Sequence, residues 1–231
     1  MQAQRFIVDM RLVFASNNAH KLSEVRAMMP SGIEVMSLRD VGFEAEIEET
    51  GSTLSENSRI KAETVYEWLQ ANGNPLGTDG VFADDTGLEI DALGGEPGVY
   101  TARWYKKEPV IPLPEGKEPA DEKMIFRANR RKALTALQGK DERGCQFKTV
   151  ITFIKSAPSH PEGKEITQVE GIVRGEIARE EYGEGGFGYD PLFIPEGYDK
   201  TFGELPPEIK NSISHRARAM EALANILKCT K

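Results

Sequence analysis

Cysteine is scarce. The chain has two in 231 residues, Cys145 and Cys229, with no C-x-x-C spacing. That excludes a disulfide framework and a cysteine-ligated zinc site, and leaves small buried or tail thiols as the plain reading. Long apolar stretches are missing too. Apolar runs stop after four or five residues, as at Leu12-Val13-Phe14-Ala15, too short to span a bilayer. Residues 1–9 lack the apolar centre of a secretory signal and read as a short extension with no assigned chemistry, so the expected location is cytoplasmic. Positive charge is in deficit: 29 Lys and Arg against 37 Asp and Glu leave a net charge of −8. Broad binding to duplex nucleic acid needs many cations against phosphate, so it is disfavoured. A single nucleotide is not, because its pocket needs only a few cations and a metal. No G-x-x-x-x-G-K-[ST] loop occurs, so phosphate is not held by a Walker A loop. Internal repeats and low-complexity tracts are absent as well.

What is present reads as an α/β protein in one domain over residues 1–231. Leu12–Ala15 is a buried strand closed by Ser16-Asn17-Asn18. A helix follows, with Asn18 as N-cap and Leu22, Val25 and Met29 on one face. Pro30-Ser31-Gly32 stops it, and Ile33–Met36 is a second strand. Thr53 and Glu56 have capping-box spacing and open a helix to about Ala71. Val81-Phe82-Ala83 is a strand expected to end at Asp84-Asp85-Thr86-Gly87. Residues 106–121, rich in proline and charge, read as a surface loop. A helix from about Asp121 to Leu137, strands at Cys145–Ile154 and around 171–178, and a helix from Ser212 on complete the chain. Strand, helix, strand in succession is the pattern of a sheet with crossover helices.

Five stretches could carry chemistry, and each has an ordinary structural reading beside it. Asp84-Asp85 is either a solvated turn or a carboxylate pair whose repulsion is offset by a cation, for which Mg²⁺ is well suited. Glu48-Glu49 is either an acidic lead-in to a helix or a second source of metal ligands. Ser16-Asn17-Asn18-Ala19-His20-Lys21 joins strand to helix, where free N–H groups and a lysine can meet phosphate; otherwise it is a capped turn. Phe187-Gly188-Tyr189-Asp190 follows further glycines. These permit close ligand approach, and the two rings could stack on a base; otherwise they belong to the core. Lys210 with Ser214-His215-Arg216 is placed at the start of the last helix. The helix dipole disfavours cations there, so an anion or a carbonyl oxygen is the expected partner.

Taken together, Ala15-Ser16-Asn17-Asn18 with Lys21, Glu48-Glu49-Thr50-Gly51, Ala83-Asp84-Asp85-Thr86-Gly87-Leu88, Leu93-Gly94-Gly95-Glu96-Pro97-Gly98, Gly185-Gly186-Phe187-Gly188-Tyr189-Asp190-Pro191, and Lys210 with Ser214-His215-Arg216 occur in one order. In this the chain resembles the inosine triphosphate pyrophosphatase family over nearly all of residues 11–228. The resemblance implies an elongated, long twisted mixed β-sheet flanked by helices, with a nucleotide cleft between two lobes. It implies a homodimer and Mg²⁺-dependent cleavage of noncanonical purine nucleoside triphosphates (ITP, dITP, XTP) to the monophosphate and pyrophosphate. By position, Asp85 is the catalytic carboxylate and a metal ligand with Glu49 and Glu48. Ser16, Asn17, Asn18, Ala19, His20, Lys21, Thr86, Phe187, Gly188, Tyr189, Asp190, Lys210, His215 and Arg216 hold the substrate. Two departures stand out. Ser16-Asn17-Asn18 replaces the family's usual Thr-Gly-Asn, and the proline-rich segment after Tyr105 is longer than usual. Asn tolerates the left-handed conformation, and Ser keeps the hydroxyl.

The expected chemistry is attack of water on the α-phosphorus, with donors from His215 or Arg216 selecting the purine's O6 and Phe187 and Tyr189 forming a stacking wall. A septum-type nucleotide pyrophosphatase and a non-catalytic nucleotide-binding module are the rival readings.

Overall fold

The computed structural model describes residues 10–109 and 121–228. The extension at residues 1–9, residues 110–120 of the proline-rich stretch, and Cys229 lie outside the described residues. In order, the elements are β1 (Met10–Phe14), α1 (Ala19–Met28), β2 (Ile33–Met36), α2 (Leu54–Ala71), β3 (Gly80–Ile90), β4 (Pro97–Gly98), α3 (Glu122–Ala136), β5 (Gly144–Ser156), β6 (Lys164–Ile177), β7 (Phe193–Pro195), α4 (Pro207–Ile213) and α5 (His215–Lys228). Among the described residues seven strands form one sheet in the order β2-β1-β3-β5-β6-β7, with β4 on β3. It is mixed: β1 runs parallel to β2 and β3, while β3–β4 and β6–β7 are antiparallel. The α/β expectation holds, and no described helix is long and apolar enough to cross a membrane.

The chain divides into two compact units. Of the described residues, one comprises those up to Asp85, Thr149–Gly171 and those from Arg216; the other comprises those within Thr86–Lys148 and Ile172–His215. In the first unit the sheet carries a helix layer on each face. Val13, Ala15, Val81 and Ala83 pack with Ala62, Val65, Tyr66 and Leu69 of α2. Leu12, Phe14 and Phe82 pack with Val25 of α1 and Ala219, Met220, Leu223 and Leu227 of α5. This sorting follows from the strand's period of two, which sends successive side chains to opposite faces. In the second unit Leu88, Ile90, Cys145, Phe147, Val173 and Phe193 form a core with Trp104, Ala133 and Leu137.

The helix starts follow their local chemistry. Asn18 Oδ1 accepts the Lys21 N–H at 2.9 Å and caps α1. Thr53 and Glu56 make both bonds of the capping box on α2, satisfying amides that have no partner inside the helix. Asp121 caps α3. Two expectations need correction. β3 does not end at the aspartates but runs through them to Ile90, because Leu88 and Ile90 continue the buried alternation into the second core. The closing helix is two helices, α4 and α5, separated at Ser214, whose backbone is extended (φ −65°, ψ 162°). That is the conformation a residue takes immediately before a helix, and serine is favoured there.

Candidate functional site

The uninterrupted strand decides the geometry of Asp84 and Asp85. They were expected to sit side by side at a strand end; on a continuous strand adjacent residues face opposite ways. Asp85 continues the Val81, Ala83 series toward α2, and Asp84 continues the Phe82 series toward α1 and α5. Each aspartate therefore meets its own cations, and the pair does not act as one dicarboxylate.

On the α1/α5 face Asp84 is 1% exposed. Its Oδ1 accepts from Lys21 Nζ at 2.9 Å, and its Oδ2 from Arg216 Nε at 3.0 Å and Nη2 at 2.9 Å. Arg216 Nη1 reaches Glu24 Oε2 at 2.5 Å. Burial alone would raise the Asp84 pKa, but Lys21, Arg216 and Lys61 outweigh it and hold the carboxyl well below the usual carboxylate range. Asp84 is thus a permanent anion. The network also occupies Arg216: its guanidinium is 1% exposed and engages Asp84 and Glu24. A buried guanidinium requires such counter-charge.

On the α2 face Lys61 joins two carboxylates, with Nζ 2.6 Å from Glu49 Oε1 and 3.2 Å from Asp85 Oδ1. The other Asp85 oxygen, Oδ2, is buried and has no hydrogen-bond partner. Burial raises the Asp85 pKa, Lys61 and Lys21 offset that only in part, and Glu49 adds to it, so the net direction is upward. Two carboxyls adjacent in sequence thus have opposite shifts. Lys61 was absent from the sequence reading. Its signal was a lysine inside the inward stripe of α2, between Ser58 and Ala62, both 0% exposed. Burial would lower its pKa, yet Asp85, Glu49 and Asp84 raise it above the ordinary value, so it stays an ammonium.

Asp85 and Glu49 suit a divalent cation of the Mg²⁺ kind, which takes one or two carboxylates and completes its shell with water and substrate phosphates. The unpartnered Asp85 Oδ2 is the observation that fits. No group of three or more His, Cys, Asp or Glu among the described residues would hold an ion by itself. Glu48 is exposed, and the structure does not bring it to Asp85 as it does Glu49. In the Ser16–Lys21 loop, Ser16 Oγ accepts the Asn18 N–H at 3.3 Å. Asn17, Ala19 and His20 are exposed, and Ser16 and Asn18 half-buried. Lys21 is pulled to Asp84, and burial lowers its pKa despite that partner. Thr86, the next residue on β3, is half-buried.

The second unit holds the remaining candidates. Asp190 Oδ2 accepts the Phe187 N–H at 2.7 Å and the Lys210 ammonium at 2.6 Å. Lys210 Nζ also lies 4.8 Å from the Phe187 ring centroid. Lys210 is in the last turn of α4, not the first turn of the final helix, so the helix dipole favours its charge rather than opposing it. The two-ring stacking wall is also corrected. Tyr189 is 3% exposed and part of the core, whereas Phe187 and Gly188 are half-buried. His215 is buried and stacks on Phe147, centroids 4.8 Å apart. Gly186 has φ 72°, and a Cβ there would lie 2.1 Å from Asp190 Oδ2, so the loop requires glycine at that point.

Comparison with known proteins gives a consistent result. The sequence pattern of the Ham1 family matches residues 12–226. The dITP/XTP pyrophosphatase of Flavobacterium johnsoniae is 43% identical over 222 residues, covering 96% of this chain and 100% of that one. The dITP/XTP pyrophosphatase of Bacillus subtilis is 41% identical over 225 residues, covering 96% and 99%. The solved structure of the Staphylococcus aureus Ham1 protein superposes with a TM-score of 0.74 at 36% identity, covering 96% of this chain and 100% of that one. Likeness of this extent, in sequence and in fold, makes the chain a member of the Ham1 family.

Proposed function

We propose that this chain is a nucleoside triphosphate pyrophosphatase acting on noncanonical purine nucleotides, dITP, ITP and XTP, and releasing the monophosphate and pyrophosphate. Its relatives of that name support the reading. The observation that carries it is the Asp85 carboxyl: one oxygen tied to Lys61, the other buried without a partner, and a raised pKa.

In this reading Asp85 orients the water that attacks the α-phosphorus and takes its proton. A carboxylate whose pKa is raised is a better base than an ordinary one. Lys61 fixes the orientation of that carboxyl through Oδ1 and keeps Glu49 alongside. Asp85 and Glu49 would hold Mg²⁺, which would supply charge neutralisation to the triphosphate. Lys21 and the amide of Asn17 hold phosphate, with Asp84, itself fixed by Arg216, holding Lys21 in place. In the second unit Phe187 offers a ring face to the base, beside the Lys210 ammonium. His215 is the donor proposed for the purine O6. Adenine would leave that donor unpaired at a cost of about 1–3 kcal/mol. The protein works as a single domain over residues 1–231, in the cytoplasm, as a homodimer, with no duplex nucleic acid as partner.

The test is pyrophosphate release from ITP, dITP, XTP, GTP and ATP, each with Mg²⁺ and with a chelator. The expected result is release from the first three, slow turnover of GTP and ATP, and none in chelator. Orthophosphate instead of pyrophosphate would move the attack away from the α-phosphorus. Binding of ITP without turnover would replace the enzyme by a nucleotide-binding module.

A further inference from the structure

We propose that Arg130 of α3 is a positioning residue for base recognition. It acts through the glycine-rich loop that carries Phe187, and so rests on the reading above that Phe187 meets the base.

The loop from Glu181 to Asp190 contains Gly183, Gly185, Gly186 and Gly188, of which 183, 186 and 188 have positive φ. A segment with this much conformational freedom is ordered only by ties from outside. Its stem is tied by Tyr182 N–H to Pro191 O at 2.9 Å and Gly185 N–H to Gly203 O at 3.0 Å. Near its tip, beside the Asp190 carboxylate that accepts the Phe187 N–H, a guanidinium adds two ties. Arg130 Nη1 donates to the Gly188 carbonyl at 2.9 Å, and Nη2 pairs with Glu181 Oε2 at 2.9 Å. A single planar group thus grips the loop near its start and immediately after Phe187.

One turn earlier on α3, the Phe126 ring stands 6.2 Å from the Phe187 ring at 45°. Residues four apart on a helix share a face, so α3 presents Phe126 to the ring and Arg130 to the backbone behind it. The Arg130 side chain is 11% exposed, and its Nε is buried without a partner. That is a desolvation cost the two Nη bonds must offset. A ring can stack on a base only if its plane is set beforehand, and ordering it in advance removes an entropy cost from binding.

The experiment uses the full chain with four variants: Arg130→Met, Arg130→Lys, Phe187→Ala and the Arg130→Met/Phe187→Ala double. KM and kcat are measured for ITP, with inorganic tripolyphosphate as a base-free competitive inhibitor. Arg130→Met is expected to raise KM for ITP about tenfold, the scale of one hydrogen bond from a charged donor, with kcat and tripolyphosphate inhibition unchanged. Arg130→Lys, which keeps one donor, should recover part of the loss. Phe187→Ala should raise KM roughly 5- to 150-fold, the range of base–aromatic stacking. The double variant should match Phe187→Ala alone, since Arg130 has no ring left to position. An unchanged KM in Arg130→Met beside a raised one in Phe187→Ala overturns the role of Arg130 and leaves the base reading standing. An unchanged KM in Phe187→Ala overturns both. Equal losses of ITP and tripolyphosphate affinity, or an Arg130 effect that persists without Phe187, also overturns the proposal.

Discussion

Replacing Asp85 by asparagine should separate activity from stability. Asn keeps an oxygen for the Lys61 ammonium, now 3.2 Å from Oδ1, and puts an amide where Oδ2 is buried without a partner. An ionised oxygen in that position costs stability, on the order of 1–3 kcal/mol for a buried polar atom left unpaired. The sign follows from the pKa. The folded protein raises the Asp85 pKa above its ordinary 3.8, so the native state holds this proton more tightly than the unfolded chain. Stability from this group is then highest at low pH and falls as pH rises from the ordinary value through the raised one. At neutral pH the native carboxylate is the unfavourable form, and the uncharged amide removes it. Against this stands a weaker bond to Lys61, which keeps Glu49 at 2.6 Å. The amide nitrogen is itself left without a partner, so the net expectation is a gain of at most about 1 kcal/mol, or roughly 2–4 °C in melting temperature for a chain of this size.

Turnover should behave oppositely, because an amide cannot accept the water proton. General-base catalysis contributes roughly 10²–10⁴-fold, and the loss in kcat should fall in that range. Thermal unfolding in chelator reads the first effect without ligand linkage; pyrophosphate release from ITP in Mg²⁺ reads the second. A variant destabilised by more than about 2 kcal/mol would show that the carboxylate serves the fold, and a variant with native kcat would remove Asp85 from the chemistry.

Three further outcomes follow from the same geometry. Lys61→Met leaves Glu49 and Asp85 without their shared ammonium, and urea unfolding at pH 7 in chelator should show a loss of about 3–5 kcal/mol, the scale for breaking a buried ion pair; a loss under 1 kcal/mol would mean the pair is solvated. Asp84 carries the opposite pH dependence from Asp85: its depressed pKa gives stability that is present above the ordinary 3.8 and lost as pH falls through the depressed value. Urea midpoints from pH 6 to pH 2 in metal-free protein should therefore fall less steeply for Asp84→Asn than for the native sequence, and parallel curves would contradict the assignment. Gly186→Ala places a Cβ 2.1 Å from Asp190 Oδ2 at φ 72°, so it should cost at least the ~1–2 kcal/mol of a left-handed residue and raise KM for ITP by displacing Asp190 from the Phe187 amide. An unaltered denaturation midpoint would show that the loop rearranges freely.

Much of this was legible in the sequence, for reasons that differ between elements. The caps at Asn18 and Thr53 were readable because a cap is a local bargain between one side chain and an amide two or three residues on. The extent of β3 was not. Asp84-Asp85-Thr86-Gly87 looks like a strand end because charge and glycine normally close strands, and only burial of Leu88 and Ile90 in a second core shows that the strand continues. Lys61 was missed because a lysine among Ser58, Ala62 and Val65 looks like a break in an apolar stripe until Glu49 and Asp85, brought from 12 and 24 positions away, are seen beside it. Tyr189 and Phe187 are two residues apart in one motif, yet one is core and the other half-buried, a difference set by packing within the unit rather than by residue type.

The division of labour between the two aspartates depends on the unbroken strand. If β3 stopped at Ala83, Asp84 and Asp85 would share one solvent-facing turn, repel one another, and titrate as a pair. Because it continues, period two hands Asp84 to Lys21 and Arg216 and hands Asp85 to Lys61 and Glu49. One carboxyl is surrounded by more positive charge than it needs and is fixed as an anion. The other is buried beside a second carboxylate and left with an unpaired oxygen. A reagent that must stay charged and a base that must accept a proton are thereby made from the same side chain at consecutive positions. The arrangement predicts that an added residue matters more than a changed one. One alanine inserted between Ala83 and Asp84 would exchange the faces of both carboxyls, and should abolish turnover of ITP even though every functional side chain is still present. A partly active insertion variant that folds with native secondary structure by circular dichroism would show that the faces are interchangeable and that alternation along β3 is not what distinguishes them.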